Sequence, residues 1–105
     1  MADTTFPIWT LERLRQHRSA IIDLASKYGA YDVRVFGSIA RGEATPDSDV
    51  DILVATKDGV TMFDLVGLWL DLQDLLGAEV SLITDDEHAQ RKAFMINAKH
   101  DAVRL

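Results

Sequence analysis

Two aspartates, Asp49 and Asp51, stand one residue apart at the head of an otherwise apolar run, Val50-Asp51-Ile52-Leu53-Val54. On a β-strand, side chains at i and i+2 point to the same face, roughly 7 Å apart. Two carboxylates so placed repel one another and need solvent or a neutralising partner. Asp51 is the more demanding of the two, because Ile52, Leu53 and Val54 beside it belong in a core. A cation is an economical partner there. A donor set of oxygens without a nearby His or Cys favours magnesium over zinc. The alternative reading is that Asp49 caps a turn and Asp51 pairs with an arginine.

A second chemical stretch lies just upstream. Gly37 permits a tight bend and close approach of the backbone to a ligand. Ser38 adds a hydroxyl and a backbone N–H where a short helix over 39–41 would begin, and such helix starts bind phosphate. Arg41, about one turn later, has the reach and geometry for a phosphate or a pyrophosphate leaving group. Gly-Ser alone would be an ordinary strand-to-helix turn. A phosphate cradle one strand away from a carboxylate pair is more specific. It is the layout of metal-assisted phosphoryl or nucleotidyl transfer.

Gly37-Ser38, ten residues, then Asp49-Val50-Asp51 resembles the signature of the polymerase-beta-type nucleotidyltransferase superfamily. The fuller run, Gly37-Ser38-Ile39-Ala40-Arg41-Gly42 followed by Ser48-Asp49-Val50-Asp51-Ile52-Leu53-Val54, is similar to its minimal nucleotidyltransferase (MNT) branch. The resemblance covers most of the chain. It implies an α/β (α+β) nucleotidyltransferase fold, a small mixed sheet with helices packed on it, over 1–105 as a single domain. It implies Mg2+ as cofactor and ATP as substrate, with Asp49 and Asp51 as metal ligands and catalytic residues. Gly37, Ser38, Arg41 and Ser48 become the nucleotide-binding set. Short proteins of this branch are commonly antitoxins paired with a HEPN-domain ribonuclease toxin, and active members transfer AMP to a tyrosine of that toxin.

One departure bears on turnover. The family places a third carboxylate on the next core strand, and the matching position in Val80-Ser81-Leu82-Ile83 is Ser81. A serine is a poor magnesium ligand and no general base at neutral pH without help. Glu79, two residues earlier, shares a strand face with Ser81 and is the remaining catalytic candidate. Its other reading is a solvated residue at a strand edge. The resemblance therefore leaves two functions open: an enzyme that modifies its toxin, or an impaired domain that neutralises the toxin by occlusion.

The positioning elements follow from periodicity. Thr10 is a candidate N-cap for a helix carrying Leu11, Leu14, Ile21, Leu24, Ala25 and Tyr28 on one side, ended by Gly29. Residues 31–36 alternate as a strand with Val33 and Val35 on one face; 42–48 is a loop; 50–55 is a buried strand. Thr61 and Asp64 form a capping box for a helix whose core stripe reads Met62, Leu65, Val66, Trp69, Leu72 and Leu76. Phe63, Leu68, Leu70 and Leu75 widen its apolar arc, leaving Asp64, Gly67, Asp71 and Asp74 as a polar strip. A helix this apolar is either sandwiched in the fold or covered by another chain, the toxin or a second copy through 62–76. Gly77 ends it, 78–84 is a third strand, Thr84 and Glu87 open a last helix over 85–99, and 103–105 is a terminal strand or tail.

The whole chain of 105 residues carries a net charge of −6, which argues against nucleic acid as partner. It has no cysteine, and its apolar fraction of 48% is globular. No apolar run approaches a membrane span, and the N-terminus lacks a signal pattern, so a cytoplasmic location is expected. His17, His88 and His100 show no metal-ligand spacing. Trp9 and Trp69 read as packing residues, and Tyr28 and Tyr31 carry no assigned role.

Overall fold

A computed structural model describes residues 8–84 and 102–105. The expected helix over 85–99, its Thr84–Glu87 capping box, His88 and His100 lie outside the described residues. Thr10 does cap the first helix, its Oγ1 accepting the Arg13 N–H at 3.1 Å. The single helix expected from there to Tyr28 is two, α1 (Leu11–Gln16) and α2 (Arg18–Lys27). The break falls at His17, whose N–H bonds the Leu14 carbonyl at 2.9 Å, a tightened last turn. The imidazole stands edge-on to Trp9 with ring centroids 5.7 Å apart.

Four strands follow: β1 (Ala30–Phe36), β2 (Val50–Thr56), β3 (Val80–Thr84) and β4 (Val103–Arg104). They form one mixed sheet in the order β3-β2-β1-β4. β1 runs antiparallel to both β2 and β4, while β2 and β3 are parallel. Parallel neighbours need a crossover. Here it is α4 (Met62–Leu76). Its capping box is present: Thr61 N–H donates to Asp64 Oδ2 at 2.9 Å, and Asp64 N–H to Thr61 Oγ1 at 3.3 Å. Gly77 closes it in the left-handed conformation at φ +62°. Between β1 and β2 a five-residue helix, α3 (Gly37–Arg41), turns the chain back.

The core lies between the sheet and α1, α2 and α4. Val35, Val50, Ile52 and Val54 meet Leu14, Ile21, Ala25, Leu68, Leu72 and Leu76. This corrects the expected stripe of α4. Leu68 is fully buried, whereas Met62 is 72% and Phe63 89% exposed, and Val66, Trp69 and Leu70 also face outward. The rotation has two visible causes. Tyr28, at the end of α2, packs on Gly67, where an added Cβ would lie 2.7 Å from the ring, and donates its hydroxyl to Asp71 Oδ2 at 2.6 Å. On the other flank, Trp69 Nε1 donates to the Val80 carbonyl at 2.6 Å, and the Val80 N–H to Gln73 Oε1 at 3.1 Å. Gly67 and Asp71, expected in a solvated strip, are therefore the α2 contact. Tyr28 has a structural role that its sequence position did not show.

Candidate active site

The turn and the aspartates meet because β1 and β2 are antiparallel neighbours. The register pairs Phe36 with Asp51, which sets the next residue, Gly37, beside the Asp51 side chain. Gly37 has φ +72°, and a Cβ built there would overlap the Asp51 carboxylate. Glycine is required twice over, by backbone angle and by space. On its other side Asp51 is paired in register with Ser81 of β3. Asp51 thus stands between a bare stretch of backbone and a hydroxyl.

Its electrostatics are those of an under-neutralised carboxylate. Burial pushes the Asp51 carboxyl above its ordinary value, and the charge of Asp49 pushes it further. A hydrogen bond from Ser81 and the guanidinium of Arg41 oppose the rise without cancelling it. Arg41, the arginine that one of the two sequence readings calls for, thus acts on Asp51 in the neutralising direction. Arg41 itself is held by Glu43, Nε to Oε1 at 2.9 Å, at the exposed end of α3. Because α3 spans only five residues, close backbone approach at Gly37 counts for more here than a helix dipole. Ser38 is half-buried, and its carbonyl accepts the Glu43 N–H at 2.8 Å.

Ser48 shapes the loop that delivers Asp49. Its hydroxyl accepts the Thr45 N–H at 2.9 Å, and its N–H donates to the Thr45 carbonyl at 3.0 Å. Asp49 is exposed and sits just ahead of β2. Glu79 holds the equivalent place ahead of β3, because Val50 pairs with Val80 and its N–H donates to the Glu79 carbonyl at 2.9 Å. Glu79 and Asp49 are both exposed and lie just outside their strands, so strand-face geometry carries neither Glu79 with Ser81 nor Asp49 with Asp51. The nearness of the two aspartates shows instead in the charge of Asp49 acting on Asp51. Glu79 joins Asp49 through a cavity of about 380 Å³ that both line.

That cavity also brings in residues that the sequence reading left aside. Trp9 and Arg13 form another wall, with the guanidinium 4.2 Å over the indole centroid and its Nη1 donating to the Ile8 carbonyl at 2.8 Å. The signal available was their i, i+4 spacing, which stacks a cation on an aromatic across one helical turn. Among the described residues, no three His, Asp or Glu side chains gather tightly enough to enclose a metal. The donors present suit a hard divalent cation: two carboxylates, one of them pushed up by burial and by its neighbour, beside a glycine cradle open to an oxygen-rich ligand.

A family model for the nucleotidyltransferase domain matches residues 14–101. The chain belongs to the nucleotidyltransferase domain family. A candidate protein adenylyltransferase of Methanocaldococcus jannaschii is 38% identical over 71 residues, 68% of this chain and 76% of that protein. The protein adenylyltransferase MntA of Thermococcus cleftensis is 41% identical over 61 residues, 58% of this chain and 62% of its own length. A solved candidate minimal nucleotidyltransferase superposes with a TM-score of 0.76 at 40% identity, covering 92% of this chain and 97% of the other. A complex of AMP-modified Shewanella oneidensis HEPN toxin with MNT antitoxin matches in fold, with a TM-score of 0.60 at 17% identity over 86% of this chain and 69% of that one.

As a nucleotidyltransferase, the chain has the fold that the motif implied, the mixed sheet and helices of the minimal branch. Nucleotidyl transfer is its enzyme class. The family works on nucleotide substrates with a divalent metal.

Proposed function

We propose that this nucleotidyltransferase transfers AMP from ATP, with magnesium, to a tyrosine hydroxyl of a protein, and that the acceptor is a HEPN-type toxin for which it is the antitoxin. The observation that carries the reading is the Asp51 carboxylate held against the Gly37 backbone, with Asp49 beside it. The adenylyltransferase names of the relatives support AMP and a protein acceptor, and the fold shared with a toxin-bound MNT antitoxin supports the partner.

In this mechanism Gly37 and Ser38 receive the triphosphate, through close backbone approach and a hydroxyl. Asp49 and Asp51 hold the metal, which when bound neutralises the phosphates and orients them for in-line displacement. Arg41 stands at the exposed end of α3 to meet developing charge on the leaving group. Ser48 fixes the loop ahead of Asp49. The acceptor oxygen bonds the α-phosphorus as the bond to the bridging oxygen breaks and pyrophosphate leaves. Glu79, the carboxylate beside Asp49 that is not assigned to the metal, takes the acceptor's proton. A cytoplasmic location accompanies this reading, since ATP is the substrate. Among the described residues, no helix is long and apolar enough to cross a membrane.

Ser81 favours a second reading, in which the domain binds the toxin and blocks it with little or no turnover. The outward face of α4, with Phe63 and Leu70, then supplies the contact, to the toxin in preference to a second copy. Incubating the chain and the co-purified toxin with Mg-ATP decides between them. The first reading expects an AMP mass on the toxin and its loss in Asp51→Asn. The second expects full neutralisation by Asp49→Asn/Asp51→Asn, abolished by Leu70→Glu. Ser81→Asp should raise the rate of transfer if the missing carboxylate limits turnover.

A further inference from the structure

Asp51 is flanked on both sides of β2. On the β1 side its Oδ2 fills the space that a side chain at Gly37 would take. On the β3 side parallel pairing sets Ser81 in register with it, and the Ser81 hydroxyl donates to the carboxylate. Gly37 supplies room and has no side chain to donate. Of the two flanks, only Ser81 can therefore fix the carboxylate by a side-chain hydrogen bond. A carboxylate left to rotate spends part of its time with its oxygens turned away from a cation, and ordering it costs entropy on binding. From these relations we infer that Ser81 is a positioning residue for nucleotidyl transfer: its hydroxyl holds Asp51 in the orientation over Gly37 in which that carboxylate can hold a divalent cation. The inference rests on the nucleotidyltransferase reading above. It makes Ser81 act on the metal through Asp51, as neither ligand nor base.

The surroundings of Ser81 are built to keep it in place. β3 is an edge strand, and edge strands leave backbone groups unpaired. Here α4 supplies partners for the residue just before Ser81. Trp69 Nε1 donates to the Val80 carbonyl at 2.6 Å, and Gln73 Oε1 accepts the Val80 N–H at 3.1 Å. On the inner side the Val50 N–H donates to the Glu79 carbonyl at 2.9 Å. The approach to Ser81 is thus tied to α4 on one side and to β2 on the other. Ser81 and Asp51 are both half-buried, so their hydrogen bond is stronger than one between fully exposed partners. A hydroxyl donating to an ionised carboxylate makes a charge-assisted bond. Such a carboxylate has about four lone-pair sites, so accepting one bond leaves room for a cation. Groups that hydrogen-bond a ligating side chain commonly carry about 10–100-fold of metal affinity.

The test is direct binding of Mn2+, which shares magnesium's preference for oxygen ligands. The full chain is titrated, and the paramagnetic resonance signal of the free ion is followed. Wild type, Ser81→Ala, Ser81→Cys, Ser81→Thr and Asp51→Asn are compared, each first checked for native circular dichroism. Ser81→Ala and Ser81→Cys should weaken Mn2+ binding about tenfold or more. Ser81→Thr, which keeps the hydroxyl, should stay within about threefold of wild type. A purely structural role would follow side-chain size, so that cysteine would stand in for serine. Affinity kept in Ser81→Cys and lost in Ser81→Ala would therefore overturn the inference. Wild-type affinity in Ser81→Ala, with affinity lost in Asp51→Asn, would overturn it too while leaving the metal site standing. Absence of Mn2+ binding by the wild type would remove the metal reading beneath it, and the inference with it.

Discussion

Asp51 concentrates the chemistry of this chain in one carboxyl group. Its folded value is raised, first by burial and then by Asp49. A carboxyl raised on folding favours the native state while protonated, and that contribution is lost as pH rises through the folded value. At neutral pH the metal-free protein therefore carries a cost at this residue. Asp51→Asn should raise the melting temperature of the metal-free protein at neutral pH. The gain should shrink as pH falls toward the ordinary carboxylate value of 3.8. Thermal scans across pH, with chelator present, check this, and a gain independent of pH would contradict it. Asp49, Asp51 and Gly37 were legible in the sequence because motif and contact are both local: two short stretches, joined by one antiparallel pairing. Glu79 was a candidate in the sequence only beside Ser81; its nearness to Asp49, and the Trp9–Arg13 wall, were not legible, because they depend on the Val50–Val80 register and on where α1 packs.

At the scale of elements, α4 shows how a strongly apolar helix conceals its buried face. Apolar residues surround most of its circumference, so periodicity left several orientations open and the stripe chosen from it was rotated. The tie-breakers were polar and long-range: the Tyr28 hydroxyl on Asp71, and Trp69 and Gln73 on the backbone of Val80. Leu68→Ala should destabilise the protein by about 2–5 kcal/mol, the usual cost of emptying a core leucine site. Phe63→Ala, at a position 89% exposed, should change stability by less than about 0.5 kcal/mol. Denaturant melts of the two variants compare them directly; the expected stripe would have shown no such contrast. Gly67→Ala is a sharper test of the α2 contact. Alanine ordinarily stabilises a helix by about 1 kcal/mol relative to glycine. Here the added methyl meets a rigid ring 2.7 Å away, so a net loss of stability is expected. The caps at Thr10, Thr61 and Gly77 were readable because capping chemistry is confined to a few adjacent residues. The break at His17 was not, because Leu14 and Ile21, two helical turns apart, keep the same face across it.

For the molecule as a whole, the order of the described strands and helices, apart from the split of the first helix at His17, was readable because glycine, threonine and proline punctuate most of their boundaries. The sheet order follows from few alternatives once α4 is a crossover between parallel neighbours. Met62, Phe63, Val66 and Leu70 are exposed together on the outward side of α4, a helix that carries no basic residue, and this is the face that the occlusion reading proposed above gives to the toxin. Phe63→Glu should weaken toxin binding at least tenfold and leave Mg-ATP binding intact, measured by pull-down titration and calorimetry. Loss of both would mean that the face and the site are one unit. The central claim lies at the meeting of the turn and the aspartates. Calorimetric titration of ATP into the wild type and into Asp51→Asn, with magnesium and then with chelator, tests it most directly. Saturable binding that requires magnesium and falls at least tenfold in Asp51→Asn is the expected result. Equal binding by the two proteins, or binding indifferent to chelation, would contradict it.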